Sequence, residues 1–120
     1  MPRLKSDILE LFDGIATNTL SERDVEIDLR SVSSVMMVSG GYPGPIEKNK
    51  VITGVPENTQ DEVVFYAGAQ RSAQDIVTSG GRVLGVTAFG SDLEKACERA
   101  YEQVDLIHFD TASWRTDIGR

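Results

Sequence analysis

The stretch Ser39-Gly40-Gly41-Tyr42-Pro43-Gly44-Pro45 constrains this chain more than any other. Its glycines admit positive φ or close backbone approach. Its prolines fix φ and lack an amide donor, so no regular element can contain it. The stretch follows Val32 to Val38, an apolar, β-rich run that predicts a buried strand. A second break, Ser79-Gly80-Gly81, precedes Arg82 to Phe89. There Val83, Gly85, Thr87 and Phe89 alternate with Leu84, Val86 and Ala88, which is the clearest strand signal in the chain.

The remaining elements read in the same way. Ser6 to Thr17 predicts a helix with Ile8, Leu11, Phe12 and Ile15 on one face, capped by Ser6 or Asp7 and leaving at Asn18-Thr19. Asp24 to Arg30 alternates Val25, Ile27 and Leu29 inward with Glu26, Asp28 and Arg30 outward, predicting a half-buried strand. Lys50 to Gly54, Glu62 to Tyr66 and Leu106 to Phe109 are further short strand candidates, and Gln74 to Thr78 leads into the second glycine corner. Ser91-Asp92-Leu93-Glu94 reads as a capping box for a helix with Leu93, Cys97, Ala100, Tyr101 and Val104 on its inner face. Helices do not alternate with strands, which favours an α+β, β-rich domain with antiparallel sheets over a βαβ fold.

Length and charge exclude several function classes. At 120 residues and 13.1 kDa the chain is one domain in size, with room for one modest core but not for a two-substrate cleft. The net charge of −7 argues against general nucleic-acid binding, although a few local cations can still hold a small anion. The longest apolar runs are too short to span a bilayer, and no signal peptide is evident. With a single cysteine, Cys97, an internal disulfide is impossible and a cytoplasmic setting is expected. With His108 as the only histidine, most histidine metal sites and the usual triads are disfavoured, and no metal ligand is expected.

The glycine-rich stretches are the candidate functional features. The Gly40–Gly44 loop, with Tyr42 and Pro43, is either a plain hairpin turn or a ligand-facing loop; composition leaves both open, and a Walker A motif is absent. At the second corner a guanidinium sits beside glycines, an arrangement suited to phosphate or carboxylate. A surface arginine paired with one of 19 acids is the simpler reading of Arg82 on composition alone. Lys48, Lys50, Arg115 and Asp117 read as solvated surface charge.

Several strings then occur in one order: Ser39-Gly40-Gly41-Tyr42-Pro43-Gly44, Lys50-Val51-Ile52-Thr53-Gly54, Ala67-Gly68, Thr78-Ser79-Gly80-Gly81-Arg82-Val83, Ala100-Tyr101 and Arg115-Thr116-Asp117-Ile118-Gly119. Together they resemble the C-terminal domain of the phosphoribosylamine–glycine ligase (glycinamide ribonucleotide synthetase) family over about residues 30 to 120. Residues 1–29 resemble a linker and helix from the end of that family's ATP-grasp domain. The resemblance implies a small antiparallel, barrel-sandwich-like domain of the rudiment single hybrid type, with a C-terminal amphipathic helix and a preceding N-terminal helix.

What the resemblance implies for function follows. The family joins glycine to 5-phosphoribosylamine, with ATP cleaved to ADP and phosphate, in purine biosynthesis. Its ATP and Mg²⁺ (or Mn²⁺) sites lie in the N-terminal and ATP-grasp domains, which are the expected partners, so no catalytic residue is expected here and the chain alone should be inactive. Neither nucleic acid nor membrane is an expected partner. Arg82 matches an arginine that holds a ribose phosphate in related enzymes, with Gly80 and Gly81 shaping that site and Gly40, Gly41, Tyr42, Pro43 and Gly44 edging the cleft. Arg71, Lys48, Arg115 and Asp117 are further candidates. The family often carries a lysine where this chain has Gln70, and Arg71 is the candidate to compensate. The alternative, from a different class, is a stand-alone binding module using the same fold.

Overall fold

In the computed structural model, which describes residues 2–120, the alternating run after the second glycine corner becomes the nine-residue strand β5, Arg82–Gly90. The chain divides into two compact units, Met1–Arg30 and Ser31–Arg120. In the larger unit β1 (Ser31–Val38) and β2 (Glu62–Tyr66) flank β5 in an antiparallel sheet of order β1-β5-β2. A separate antiparallel hairpin joins β3 (Ala69–Ser72) to β4 (Asp75–Thr78). The helix α2, Leu93–Leu106, packs on the sheet. The architecture is α+β with antiparallel sheets and two helices, as expected.

The register explains why β5 is central. Val86 lies opposite Val35 of β1 and Val64 of β2, and Leu84 lies opposite Met37 and Tyr66. Side chains two apart share a face. Val35, Met37, Val64, Leu84 and Val86 therefore form a common surface, closed by Ala100 and Val104 of α2 and by Ile107 and Phe109. On the other face, Gly85 lies between the side chains of Met36 and Phe65, and the hydroxyls of Ser34 and Thr87 pair at 2.8 Å. Every residue from Val83 to Gly90 is buried.

Several expectations are corrected. The buried face of α2 is Ala96, Ala100 and Val104; Leu93 is half exposed, and Cys97 and Tyr101 are only partly covered. Small residues and one valine thus make the buried contact, while Tyr101 packs at the margin of the core. The cap of α2 is Asp92, whose carboxylate accepts the Lys95 amide at 2.8 Å, while Ser91 donates its hydroxyl to that carboxylate. The Ser91–Glu94 box is therefore not formed, because with Asp92 as N-cap the third helical residue is Lys95, which cannot accept the cap amide. Residues 50–54 form no strand, because Val51 bridges to Val77 and Thr53 to His108, two different partners. Residues 106–109 form none either, since α2 runs through Leu106 and only His108 bridges.

The smaller unit contains α1, Ile8–Ala16, and a 3₁₀ turn, Leu20–Glu22. Asp7 caps α1 by accepting the Leu9 amide at 2.8 Å. Ser6 instead accepts the Glu26 amide and donates to the Asp24 carbonyl. The predicted strand over 24–30 reduces to one bridge, Leu4 to Ile27. No strand continues that pairing, so its alternation has no core to face, and Val25, Ile27 and Leu29 are exposed. The carboxyl of Asp28 is lowered to about 2, chiefly by its hydrogen bond from the Arg30 guanidinium.

Two outcomes follow from this packing. Leu84 is fully buried at the centre of the core. Leu84→Ala should lower unfolding free energy by about 2–5 kcal/mol, read from the urea midpoint of the chain. Asp92's carboxyl is held below 3.8 chiefly by the Lys95 amide, so its contribution to stability is complete above the ordinary carboxylate range and is lost as pH falls through the lowered value. Asp92→Asn keeps an acceptor but does not titrate. It should reduce the fall in urea midpoint between about pH 5 and about pH 3.

Candidate functional site

Sheet order brings the two glycine stretches together. The strand β1 ends, β2 ends and β5 begins at the same edge of the sheet, so the segments after Val38, after Tyr66 and before Arg82 meet there. The Ser39 amide donates to the Gly81 carbonyl at 2.8 Å, and its hydroxyl donates to the Gly80 carbonyl at 3.0 Å. From the opposite side the Gly68 carbonyl accepts the amides of Ser79 and Gly80, at 2.8 and 3.1 Å, and the Gly68 amide donates to the Arg82 carbonyl at 2.7 Å. The register shifts between Met37 and Val38, placing Arg82 opposite Val38 and leaving Val83 as the extra residue of a bulge.

Glycine is required at two places in this crossing. A Cβ at Gly81 would overlap Cδ2 of Tyr42 and lie 2.9 Å from its Cε2, so the ring occupies the space of a side chain. A Cβ at Gly68 would lie 2.5 Å from the Arg82 carbonyl oxygen and 2.8 Å from Cα of Gly80. Among the described residues the amides of Gly40, Gly41 and Gly81 have no protein acceptor. Such donors in a tight turn can meet an anion.

The charge distribution leaves a cation open at the same corner. Arg23, Arg30, Lys50, Lys95, Arg99 and Arg115 each pair with an acid. Among the described residues Arg82 has no acidic partner, although the chain carries 19 acids. Arg82 is exposed while its backbone is held from both sides.

The other candidates are placed differently. Lys48 and Arg71 are exposed and, among the described residues, unpaired. Lys48 precedes Asn49, whose amide donates to the Thr78 carbonyl one residue before the second glycine corner. Gln70 and Arg71 are successive residues of β3, opposite Val77 and Ile76. Successive strand residues point to opposite faces, so Arg71 does not extend in the direction a lysine at 70 would take. Lys50 lies 2.7 Å from Glu47 and 2.9 Å from Asp110, whose hydrogen bonds, Glu47's first, hold its ammonium well above the usual lysine range. Arg115 and Asp117 pair at 2.6 Å, and that hydrogen bond lowers the carboxyl and raises the guanidinium. Their segment is fastened to α2, where the Tyr101 hydroxyl donates to the Arg115 carbonyl and accepts the Ile118 amide. Neither residue is brought to the glycine corner by any of these bonds.

Ser39 and Gly68 organise the corner; both lie in strings quoted from the sequence, but neither is named there as a site residue. The signal for Ser39 is weak: one hydroxyl between a strand and a Gly-Gly pair. Gly68 could have been found as a lone glycine ending a strand, a common mark of close backbone approach. No three His, Cys, Asp or Glu side chains stand together as a metal set among the described residues.

Comparison with known proteins bears on this geometry. Residues 32–120 match the family model described as phosphoribosylglycinamide synthetase, C domain. The chain is 38% identical over 120 residues to the phosphoribosylamine–glycine ligase of Vibrio cholerae, covering 99% of this chain and 28% of that protein. It is 43% identical over 121 residues to the Escherichia coli O157:H7 enzyme of the same name, again covering 99% of this chain and 28% of the relative. A crystal structure of the Thermotoga maritima phosphoribosylamine–glycine ligase is similar with a TM-score of 0.72 and 31% identity, over 90% of this chain and 27% of that one. The chain thus spans little more than a quarter of the length of these relatives. It belongs to the phosphoribosylglycinamide synthetase C-domain family.

Proposed function

We propose that this chain serves as the C-terminal domain of a phosphoribosylamine–glycine ligase, in which residues 30–120 wall the substrate cleft and Arg82 holds the ribose phosphate of 5-phosphoribosylamine. Residues 1–29 are then the linker and helix arriving from an ATP-grasp domain, and the larger unit is the barrel-sandwich-like closing domain of that superfamily. The observation that carries this reading is Arg82 itself, exposed beside a glycine-lined turn and, among the described residues, without an acidic partner, whereas Arg99 and Arg115 of the same unit are each paired with an acid.

The physical basis is direct. A phosphate dianion is matched by a planar guanidinium that donates two parallel N–H bonds. The space at Gly81 is taken by the Tyr42 ring, and the amides of Gly40, Gly41 and Gly81, which among the described residues have no protein acceptor, supply further donors. Lys48 adds a positive charge near this edge, whereas Arg115 and Asp117 neutralise each other and contribute to fastening the C-terminal segment.

The reaction assigned to the whole ligase activates the glycine carboxylate as an acyl phosphate with ATP; the phosphoribosylamine nitrogen then displaces phosphate to form the amide. The residues of this chain do not fit Mg–ATP. They include neither a Walker A loop nor, among those described, a cluster of acids and histidines able to hold the ion. ATP and metal are therefore assigned to the other domains of the ligase, and this chain's own part is binding and enclosure. A cytoplasmic location accords with the lone free thiol of Cys97. The stand-alone module is less well supported, because the relatives carry the matched region within a longer ligase.

Two measurements test this reading. In a ligase carrying this chain as its C-terminal region, Arg82→Ala should raise KM for phosphoribosylamine by on the order of ten- to a hundred-fold and leave KM for ATP and glycine nearly unchanged. Unchanged kinetics would remove Arg82 from the site. The purified 120-residue chain, supplied with ATP, glycine and phosphoribosylamine, should release no ADP above background.

A further inference from the structure

We propose that Tyr42 and Ser39 are positioning residues for Arg82. The loop after β1 clamps the flexible Gly80-Gly81 turn, and so fixes the direction in which the guanidinium meets its phosphate. The inference rests on the reading of Arg82 given above and adds to it the device that orients the arginine.

Three observations carry it. Two consecutive glycines immediately before a ligand-binding arginine would leave that arginine's backbone with more freedom than any other residue pair. Gly68 holds the Ser79 and Gly80 amides and the Arg82 carbonyl, and Ser39, only 3% exposed, holds what remains: its amide and hydroxyl bind the two carbonyls of that pair. The Tyr42 ring then fills the volume that a side chain at 81 would take, pressing on the residue that directly precedes Arg82.

The tyrosine hydroxyl has no hydrogen-bond partner among the described residues, and the side chain is 45% exposed. The ring approaches Gly81 and is not part of the hydrophobic core cluster, so its removal leaves the core untouched. Bidentate recognition of phosphate tolerates little angular error, so loss of the clamp should appear as weaker phosphate binding and not as a lost chemical step.

The test is a double-mutant cycle in a ligase carrying this chain as its C-terminal region. Tyr42→Ala should raise KM for phosphoribosylamine on the order of ten-fold, with kcat and the KM values for ATP and glycine within about two-fold of the parent. Tyr42→Phe should restore most of the affinity, since it keeps the ring. Ser39→Ala, a nearly isosteric change, should shift the same KM in the same direction by a smaller factor, and it covers the case in which Tyr42→Ala does not fold. In an Arg82→Ala background neither substitution should add more than about two-fold. Multiplicative effects in that background, or an unchanged KM in Tyr42→Ala and Ser39→Ala, would overturn the clamp while leaving Arg82 as the phosphate contact. An unchanged KM in Arg82→Ala alone would overturn the underlying reading, and the clamp with it.

Discussion

The pairing of β5 between β1 and β2 is the constraint on which the larger unit depends. A strand buried along almost its whole length must satisfy its amides and carbonyls through neighbours on both edges. The two ladders do so, and they fix the register that puts Val86 between Val35 and Val64. That register creates the surface on which α2 rests its small residues. It also brings three chain reversals to one edge of the sheet, so the core and the candidate site are two results of one set of backbone bonds.

Much of this was legible from residue types. The runs at 32–38, 62–66 and 82–89 are β-branched or alternating, and each became a strand within a residue or two of the expected bounds. The hairpin strand β3 was not legible, because Ala69-Gln70-Arg71-Ser72 has neither alternation nor apolar content; its partner β4 and the preceding turn hold it extended. The converse error occurred at 24–30, where perfect alternation met no neighbouring strand. Periodicity reports which face a segment could bury, while a strand exists only where another chain segment completes its hydrogen bonds.

The candidate site divides in the same way. Arg82 and its flanking glycines were identifiable as a chemical motif, and the order of motifs pointed to the family. That the first loop touches the second was not readable from either loop, because the contact is made by strand order. The pairing states of the charges were equally hidden. Arg115 and Asp117 neutralise each other, Lys50 is shared by two carboxylates, and Arg82 has no acidic partner among the described residues, although in sequence all four are charged residues near turns. In a chain of net charge −7, a single unpaired arginine on a rigid turn is a local reversal of the global field.

The seating of an aromatic ring in the space of a missing Cβ has a consequence for how such a domain can change over evolutionary time. Residue 81 can acquire a side chain only if the ring of residue 42 moves out of this position, and on the proposed role of the ring its removal loosens the turn ahead of the arginine. Either single step passes through a less fit intermediate, so positions 42 and 81 should be exchanged as a pair or retained together. The constraint then belongs to a sequence-distant aromatic–glycine couple and not to either Gly-Gly string alone.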